Sequence, residues 1–302
     1  MEPNVKELIE LIGSENVYTN ESMANHTTFK IGGNADVFVT PTNEEDLINV
    51  VHFCMTEKIS YLIMGNGSNM LVSDYGIEGV VISSEKLDNV YADGDIIYAQ
   101  SGAKLSKIAN VAAKNSLTGF EFAAGIPGTV GGGAFMNAGA YDGELKDVIC
   151  SVTVLSDDGI REITCCDCNF VYRGSIFQKK NNIILKVKIK LSPGNPEDIT
   201  KKMQDFSSRR RSKQPLEYPS AGSTFKRPEG YFAGKLIEEA NLKGCCFGGA
   251  MVSEKHSGFV INTGGASAAD VIRLIEYIKK VVHEKYGVIL EEEIKITGRK
   301  YI

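Results

Sequence analysis

The two densest glycine segments of the chain are Gly65-Asn66-Gly67-Ser68-Asn69 and the run AGIPGTVGGG from Ala124 to Gly133. Glycine tolerates left-handed backbone and lets successive N–H groups converge on one anion, a common way of holding a pyrophosphate. On one reading both loops are walls of a ligand site; on the plainer one they are turns at strand ends, where Gly and Asn are frequent anyway. Neither fits the nicotinamide-binding G-x-G-x-x-G fingerprint, because Met70 stands where the third glycine belongs, and no Gly-Lys-Ser/Thr follows for a P-loop. The loops alone therefore point to a phosphate-bearing ligand on a different fold. Arg211 and Lys213 are a further anion candidate, and for the run as a whole, Arg209 and Arg210 above all, a solvated helix end stabilised by the dipole competes. Cys165, Cys166 and Cys168 crowd together without a histidine at ligand spacing, and His26, His52, His256 and His283 form no cluster, so no metal is expected.

These residues need a scaffold, and the sequence supplies one. VKELIELI (5–12) reads as a short helix stopped by Gly13, and Thr42 with Glu45 forms a capping box ahead of Leu47, Val50, Val51 and Cys54. Strand-like YLIM (61–64) runs straight into the first glycine loop, and Val80–Ile82 is a second strand candidate. From about residue 90, Asp93-Gly94 and Asp157-Asp158-Gly159 separate short strands, so hairpins replace strand–helix alternation. LKVKIKL (185–191) alternates strictly and predicts a half-buried strand with its lysines outside. Beyond Pro193-Gly194, Asn195 caps a helix with Pro196 at its first position and Ile199, Met203 and Phe206 on the buried side. Ser267 and Asp270 make another capping box, Gly287 closes that helix, and residues 288–296 return to strand.

With 302 residues the chain is long enough for two domains or one large one, and 43% hydrophobic content suffices for ordinary cores. Its 33 Lys+Arg against 38 Asp+Glu, a formal charge of -5, argue against general nucleic-acid binding. No apolar run reaches bilayer length and the start is acidic and amphipathic, so the expected location is the cytoplasm.

HTTFKIGG (26–33), GNGSNMLVSD (65–74), AAGIPGTVGGGAFMNAGAY (123–141), YRGSIF (172–177), QPLEYPSAGSTFKRP (214–228), LIEEANLKG (236–244), SEKHSGFVIN (253–262) and LEEEIKITG (290–298), in this order, closely resemble the UDP-N-acetylenolpyruvoylglucosamine reductases. The resemblance implies an α+β architecture: a two-lobed FAD-binding region of the vanillyl-alcohol-oxidase-like type over 1–193, dividing near 83, and an α+β substrate-binding domain over 194–302. Residues 288–302 would pack back on the N-terminal lobe. The chain looks like the shorter subtype, without the capping tyrosine loop. The implied activity is NADPH-dependent reduction of UDP-N-acetylglucosamine enolpyruvate to UDP-N-acetylmuramate for peptidoglycan synthesis, through noncovalent FAD. NADPH and the sugar would use one pocket in turn.

The resemblance also assigns roles. Arg173, in YRGSIF, would clamp the enolpyruvyl carboxylate, with Tyr172 pointing the other way if the segment is extended. Ser223, in AGSTF, would give a proton to C2 after hydride from flavin N5 reaches C3. Glu293 would act with Arg173 at the enolate; alternation puts Glu291 on the same side, so periodicity does not separate the two. Flavin contacts would come from Gly65, Asn66, Gly67, Ser68 and Asn69 and, opposite, from Gly125, Ile126, Pro127, Gly128, Thr129, Gly132 and Gly133. Lys226, Arg227 and Lys213 would meet the diphosphate, and His256 and Asn262 would shape the substrate side. The rivals are another flavoenzyme of the same superfamily and a noncatalytic nucleotide-sugar-binding protein.

Overall fold

The computed structural model of the chain describes residues 3–178 and 182–300. Its N-terminal lobe is a sheet in the order Val17–Ser22, Asn34–Val39, Ile77–Ser83, Tyr61–Met64, antiparallel at the first pair and parallel after it. Ile77–Ser83 is buried on both faces, which is why it reads as an apolar run. Val80 and Ile82 face the helices Val5–Ile12 and Glu44–Thr56, and Val81 faces Phe38 and Met64. The second of these helices starts one position later than its sequence suggests. Asn43 is the cap, accepting from the Asp46 amide at 2.9 Å, and Thr42 donates its hydroxyl to Asp46 Oδ2 at 2.8 Å. A carboxamide caps as well as a hydroxyl, and Asp46 rather than Glu45 is placed to reach back.

The second lobe is an antiparallel sheet in the order Gly159–Thr164, Ile149–Ser156, Ile183–Lys190, Ile96–Gln100, Val90–Asp93. Its tight turns fall at Gly94-Asp95 and at Asp157-Asp158, where Asp93 pairs with Ile96 and Ser156 with Gly159. Leu185, Val187 and Ile189 are buried and Lys186 and Lys190 exposed, as the alternation requires. The helices Leu105–Lys114 and Val130–Met136 pack beneath this sheet. The helix Pro196–Lys213, capped by Asn195, lays Met203 and Phe206 on the same core. Leu155, Ile183 and Leu185 join the core of the first lobe and tie the two sheets together.

The third unit is a small antiparallel sheet, Cys246–Phe247, Ala250–Val252, Val260–Asn262, backed by the helices Ala233–Glu239 and Ala268–Tyr286. Ser267 and Asp270 form the expected capping box and Gly287, at φ 68, ends the long helix. Val271, Leu274, Ile275, Ile278 and Val282 are fully or almost fully buried, each contributing about 1.5–3 kcal/mol. Phe29, Ile31 and Leu71 enter this core from the N-terminal lobe. Asp74 accepts from the amides of Ala268 and Ala269 at 2.7 and 3.0 Å, capping the long helix from across the interface.

Residues 288–296 are not one strand. Only Lys295–Thr297 forms a ladder, parallel to Met70–Val72. Upstream, Glu291 O accepts from Lys226 N and Glu293 N donates to Thr224 O, an isolated antiparallel bridge of Glu292 to Phe225, before Lys295 N donates to Asn69 O, each bond at 2.8 Å. The segment changes neighbour at Lys295, so no single ladder runs through it. Tyr301 and Ile302, the end of the expected 288–302 segment, lie outside the described residues.

Candidate active site

Two features meet where the three units converge. The first is the contact between the glycine loops. Asn66 Nδ2 donates to Pro127 O at 2.6 Å. A Cβ on Gly65 would lie 2.2 Å from Thr129 Oγ1, and one on Gly67, at φ 55, would lie 2.2 Å from His26 O. Glycine is thus required by close approach at both positions. Among the described residues the amides of Asn66, Gly67 and Ser68 meet no protein acceptor. Three successive free donors on a loop without obstructing side chains suit a pyrophosphate, so the residues present fit FAD.

The opposite wall divides by role. Gly128 faces Ser68, whose hydroxyl would stand 3.6 Å from a Cβ added there, and Gly125 lies against the Arg210 side chain. Thr129 caps the Val130–Met136 helix through the Gly132 amide at 3.3 Å. Gly133 packs on Leu145, and Ile126 leans on the second-lobe core, so these two support the loop.

The second feature is a cleft of about 370 Å³ whose lining includes Tyr172, Arg173, Ser223, Arg227, His256 and Glu293. Arg173 and Glu293 form an ion pair, Nε to Oε1 at 2.8 Å, with side chains only 17% and 13% exposed. Burial holds the Glu293 carboxyl above its ordinary range even though Arg173 pulls it down. Asn69 of the first glycine loop donates Nδ2 to Glu293 O at 3.0 Å, so the cradle and the cleft share a wall. Through the Glu293 N to Thr224 O bond, the residue next to Ser223 is tied to the same carboxylate segment. Ser223 is exposed in the cleft, and among the described residues its hydroxyl has no protein partner.

The three adjacent glutamates that periodicity left unresolved are separated by their partners. Glu291 pairs with Lys226 at 3.0 Å, Glu292 with Lys279 at 2.8 Å, and Glu293 alone turns into the cleft. Tyr172 and Arg173 do not point apart, because the segment is a tight turn closed by the Val171–Gly174 bridge, with Arg173 at φ 53. The guanidinium stands 4.9 Å from the Tyr172 ring centroid. Tyr172 is exposed, so it does not pack in a core; its hydroxyl accepts from the Arg227 amide at 3.1 Å.

The basic and polar candidates scatter. Arg227 lines the cleft with its guanidinium 4.0 Å from the Phe232 ring centroid. Lys226 is engaged by Glu291 and lies outside the lining, as does Lys213 at the helix end. Asn262 is buried away from the cleft: its Nδ2 donates to Phe29 O and its Oδ1 accepts from Gly264 and Ala266, which makes it a loop scaffold. His256 lines the cleft and accepts the Gly258 amide on Nδ1 at 3.1 Å; burial first of all lowers its pKa, keeping the ring neutral near pH 7. Lys235, Lys255 and Phe232 also line the cleft and carry no local motif that would single them out. Arg210 is not a solvated helix end: it is largely desolvated beside Gly125 and its pKa is lowered by that burial.

Residues 35–164 match the FAD binding domain family, and residues 214–297 match the family described as UDP-N-acetylenolpyruvoylglucosamine reductase, C-terminal domain. The chain is 55% identical over 297 residues to the UDP-N-acetylenolpyruvoylglucosamine reductase of Caldanaerobacter subterraneus subsp. tengcongensis, covering 98% of each. It is 50% identical over 295 residues to the Clostridium perfringens (strain SM101) protein of that name, covering 97% of each. The crystal structure of UDP-N-acetylenolpyruvylglucosamine reductase from Thermus caldophilus superposes with a TM-score of 0.79 at 33% identity, over 91% of this chain and 97% of that one. Alkyldihydroxyacetonephosphate synthase, at 16% identity, shares the fold over 63% of this chain and 40% of its own, with a TM-score of 0.50. A flavin-binding fold in two lobes, joined to a C-terminal domain that carries most of the cleft, places this chain in the UDP-N-acetylenolpyruvoylglucosamine reductase family of FAD-dependent oxidoreductases.

Proposed function

We propose that the chain reduces UDP-N-acetylglucosamine enolpyruvate to UDP-N-acetylmuramate with NADPH as reductant, in the cytoplasm. The observation that carries this reading is the buried Arg173–Glu293 pair, at 2.8 Å, sharing a cleft with an unencumbered Ser223 and a wall with the glycine cradle. FAD, which the free amides of Asn66, Gly67 and Ser68 would hold noncovalently, would supply to C3 of the vinyl group a hydride drawn from NADPH.

The chain's own residues do the rest. An enol ether conjugated to a carboxylate accepts hydride at C3 only if the charge arising at C2 and on the carboxylate is stabilised. Arg173 meets that charge with a guanidinium that stays protonated when desolvated and offers paired N–H donors. Glu293 holds the guanidinium through Nε and Gly139 O accepts from Nη2 at 3.3 Å, which leaves Nη1 and the second Nη2 proton for the substrate. Ser223 delivers the proton to C2, where the strongly basic carbanion compensates for a weak acid. The vinyl group thereby gains one hydride and one proton.

Lys235, Lys255 and Arg227, which line the cleft, suit the diphosphate better than Lys226, which lies outside its lining. Residues 1–193 serve as the cofactor-holding region, with lobes dividing near 83, and 194–302 as the substrate-binding region, whose first helix leans on the second lobe. Anaerobic rapid mixing of FAD-loaded protein with NADPH, then with the UDP-enolpyruvyl sugar, tests the reading: the flavin bleaches and then recolours. Bleaching without recolouring would reject the substrate assignment.

A further inference from the structure

We propose that the helix Val130–Met136 and its C-cap Asn137 are a positioning device that sets the Arg173 guanidinium in the cleft; the inference rests on Arg173 being the carboxylate clamp. Arg173 sits at φ 53, a left-handed backbone that only surrounding contacts can hold for a residue with a side chain. Those contacts come from one helix end. Asn137 is fully buried and is itself left-handed at φ 47. Its Nδ2 donates to Val171 O, the residue that opens the Arg173 turn, at 3.1 Å and to Glu144 Oε2 at 3.1 Å, while its Oδ1 accepts from Lys146 N at 3.0 Å.

The far side of the turn is gripped by the same helix. Phe135 O accepts from Ser175 Oγ at 2.7 Å and from Gln178 Nε2 at 3.1 Å, and that Nε2 also donates to the Arg173 carbonyl at 3.1 Å. Gly139 O then accepts from Arg173 Nη2 at 3.3 Å, just past the cap. The turn is thus bonded to the helix end before it, after it and at its guanidinium. The other end of this helix begins at Thr129, in contact with Gly65 of the cradle. One short helix therefore spans from the cofactor loop to the clamp, and its length fixes their separation. Helix capping alone would not require Asn137: glycine caps a left-handed end as well, but without reaching Val171.

Asn137→Gly keeps the backbone freedom of the cap and deletes only the side-chain bonds. It is expected to retain FAD, to be reduced by NADPH at the normal rate, and to recolour with the UDP-enolpyruvyl sugar about tenfold more slowly, corresponding to ~1.4 kcal/mol. Glu293 should also protonate at higher pH than in the parent, because a displaced Arg173 pulls its carboxyl down less; difference infrared against Glu293→Gln reads this directly. Asn137→Asp, which turns a carboxylate oxygen toward Val171 O and Glu144, should do both more strongly, and Ser175→Ala provides the same test from the other side of the turn. Normal recolouring and an unshifted Glu293 in Asn137→Gly and Ser175→Ala would overturn the proposal. Arg173→Lys separates the two layers. If it slows recolouring while the cap variants do not, the positioning role is wrong; if it leaves recolouring unchanged, the clamp reading fails and the positioning role falls with it.

Discussion

The cradle and the cleft share a wall but work by opposite means. In the cradle the decisive feature is missing atoms: Gly65 and Gly67 approach the Thr129 side chain and the His26 carbonyl to distances that a Cβ would forbid, and among the described residues the amides of Asn66, Gly67 and Ser68 meet no protein acceptor. In the cleft the decisive feature is charge, drawn from four distant segments and held by a buried ion pair and a neutral histidine. A surface built by exclusion should respond to volume, and one built by charge should respond to geometry and protonation.

Substitutions can break that contrast one side at a time. Gly65→Ala would place a methyl 2.2 Å from Thr129 Oγ1, and we expect FAD affinity to fall about 100-fold, ~3 kcal/mol, as measured by equilibrium flavin binding. Adding Thr129→Ala should recover part of the loss, because it removes the clashing atom at the price of a helix cap. Arg173→Lys keeps the charge but loses the fork, and should lower substrate turnover about 10- to 100-fold with NADPH-driven flavin reduction intact, in a half-reaction assay. Lys255→Ala should raise KM for the nucleotide sugar a few-fold, about 1 kcal/mol, with little change in kcat.

The smallest effect is on stability. The folded state holds the His256 pKa below the ordinary histidine value of 6.5. Above that value the ring is neutral in both states; as pH falls below it the unfolded chain takes up the proton first, so stability drops until the folded pKa is reached. His256→Gln should flatten the Tm-versus-pH curve across that acidic window. An unchanged slope would mean that His256 titrates freely.

The same contrast explains what could be read in advance. The cradle is contiguous: GNGSN follows directly on the apolar strand YLIM, so type, spacing and place in the fold are all local. The hairpins, the alternating strand at 185–191 and the caps at Asn195 and Ser267 are local too. Side-chain direction in the cleft is set by tertiary partners. Nothing in LEEEIKITG tells which glutamate turns inward until Lys226 and Lys279 take the other two. The turn that stacks Arg173 on Tyr172 is likewise imposed by Asn137 and Phe135, remote in sequence, on a segment that reads equally well as extended. Lys235 and Lys255 reach the cleft from separate elements, and Asn262, polar and two residues ahead of Gly264, is drawn inward by the Phe29 carbonyl.

Cradle and cleft together should form one site in which reduction of the cofactor and reduction of the sugar are separable steps. Ser223→Ala, followed by flavin absorbance in two successive anaerobic mixes, puts that to the test. Bleaching by NADPH should run at the parent rate, and recolouring by the UDP-enolpyruvyl sugar should slow by on the order of 1,000-fold. Recolouring at the parent rate would contradict this assignment.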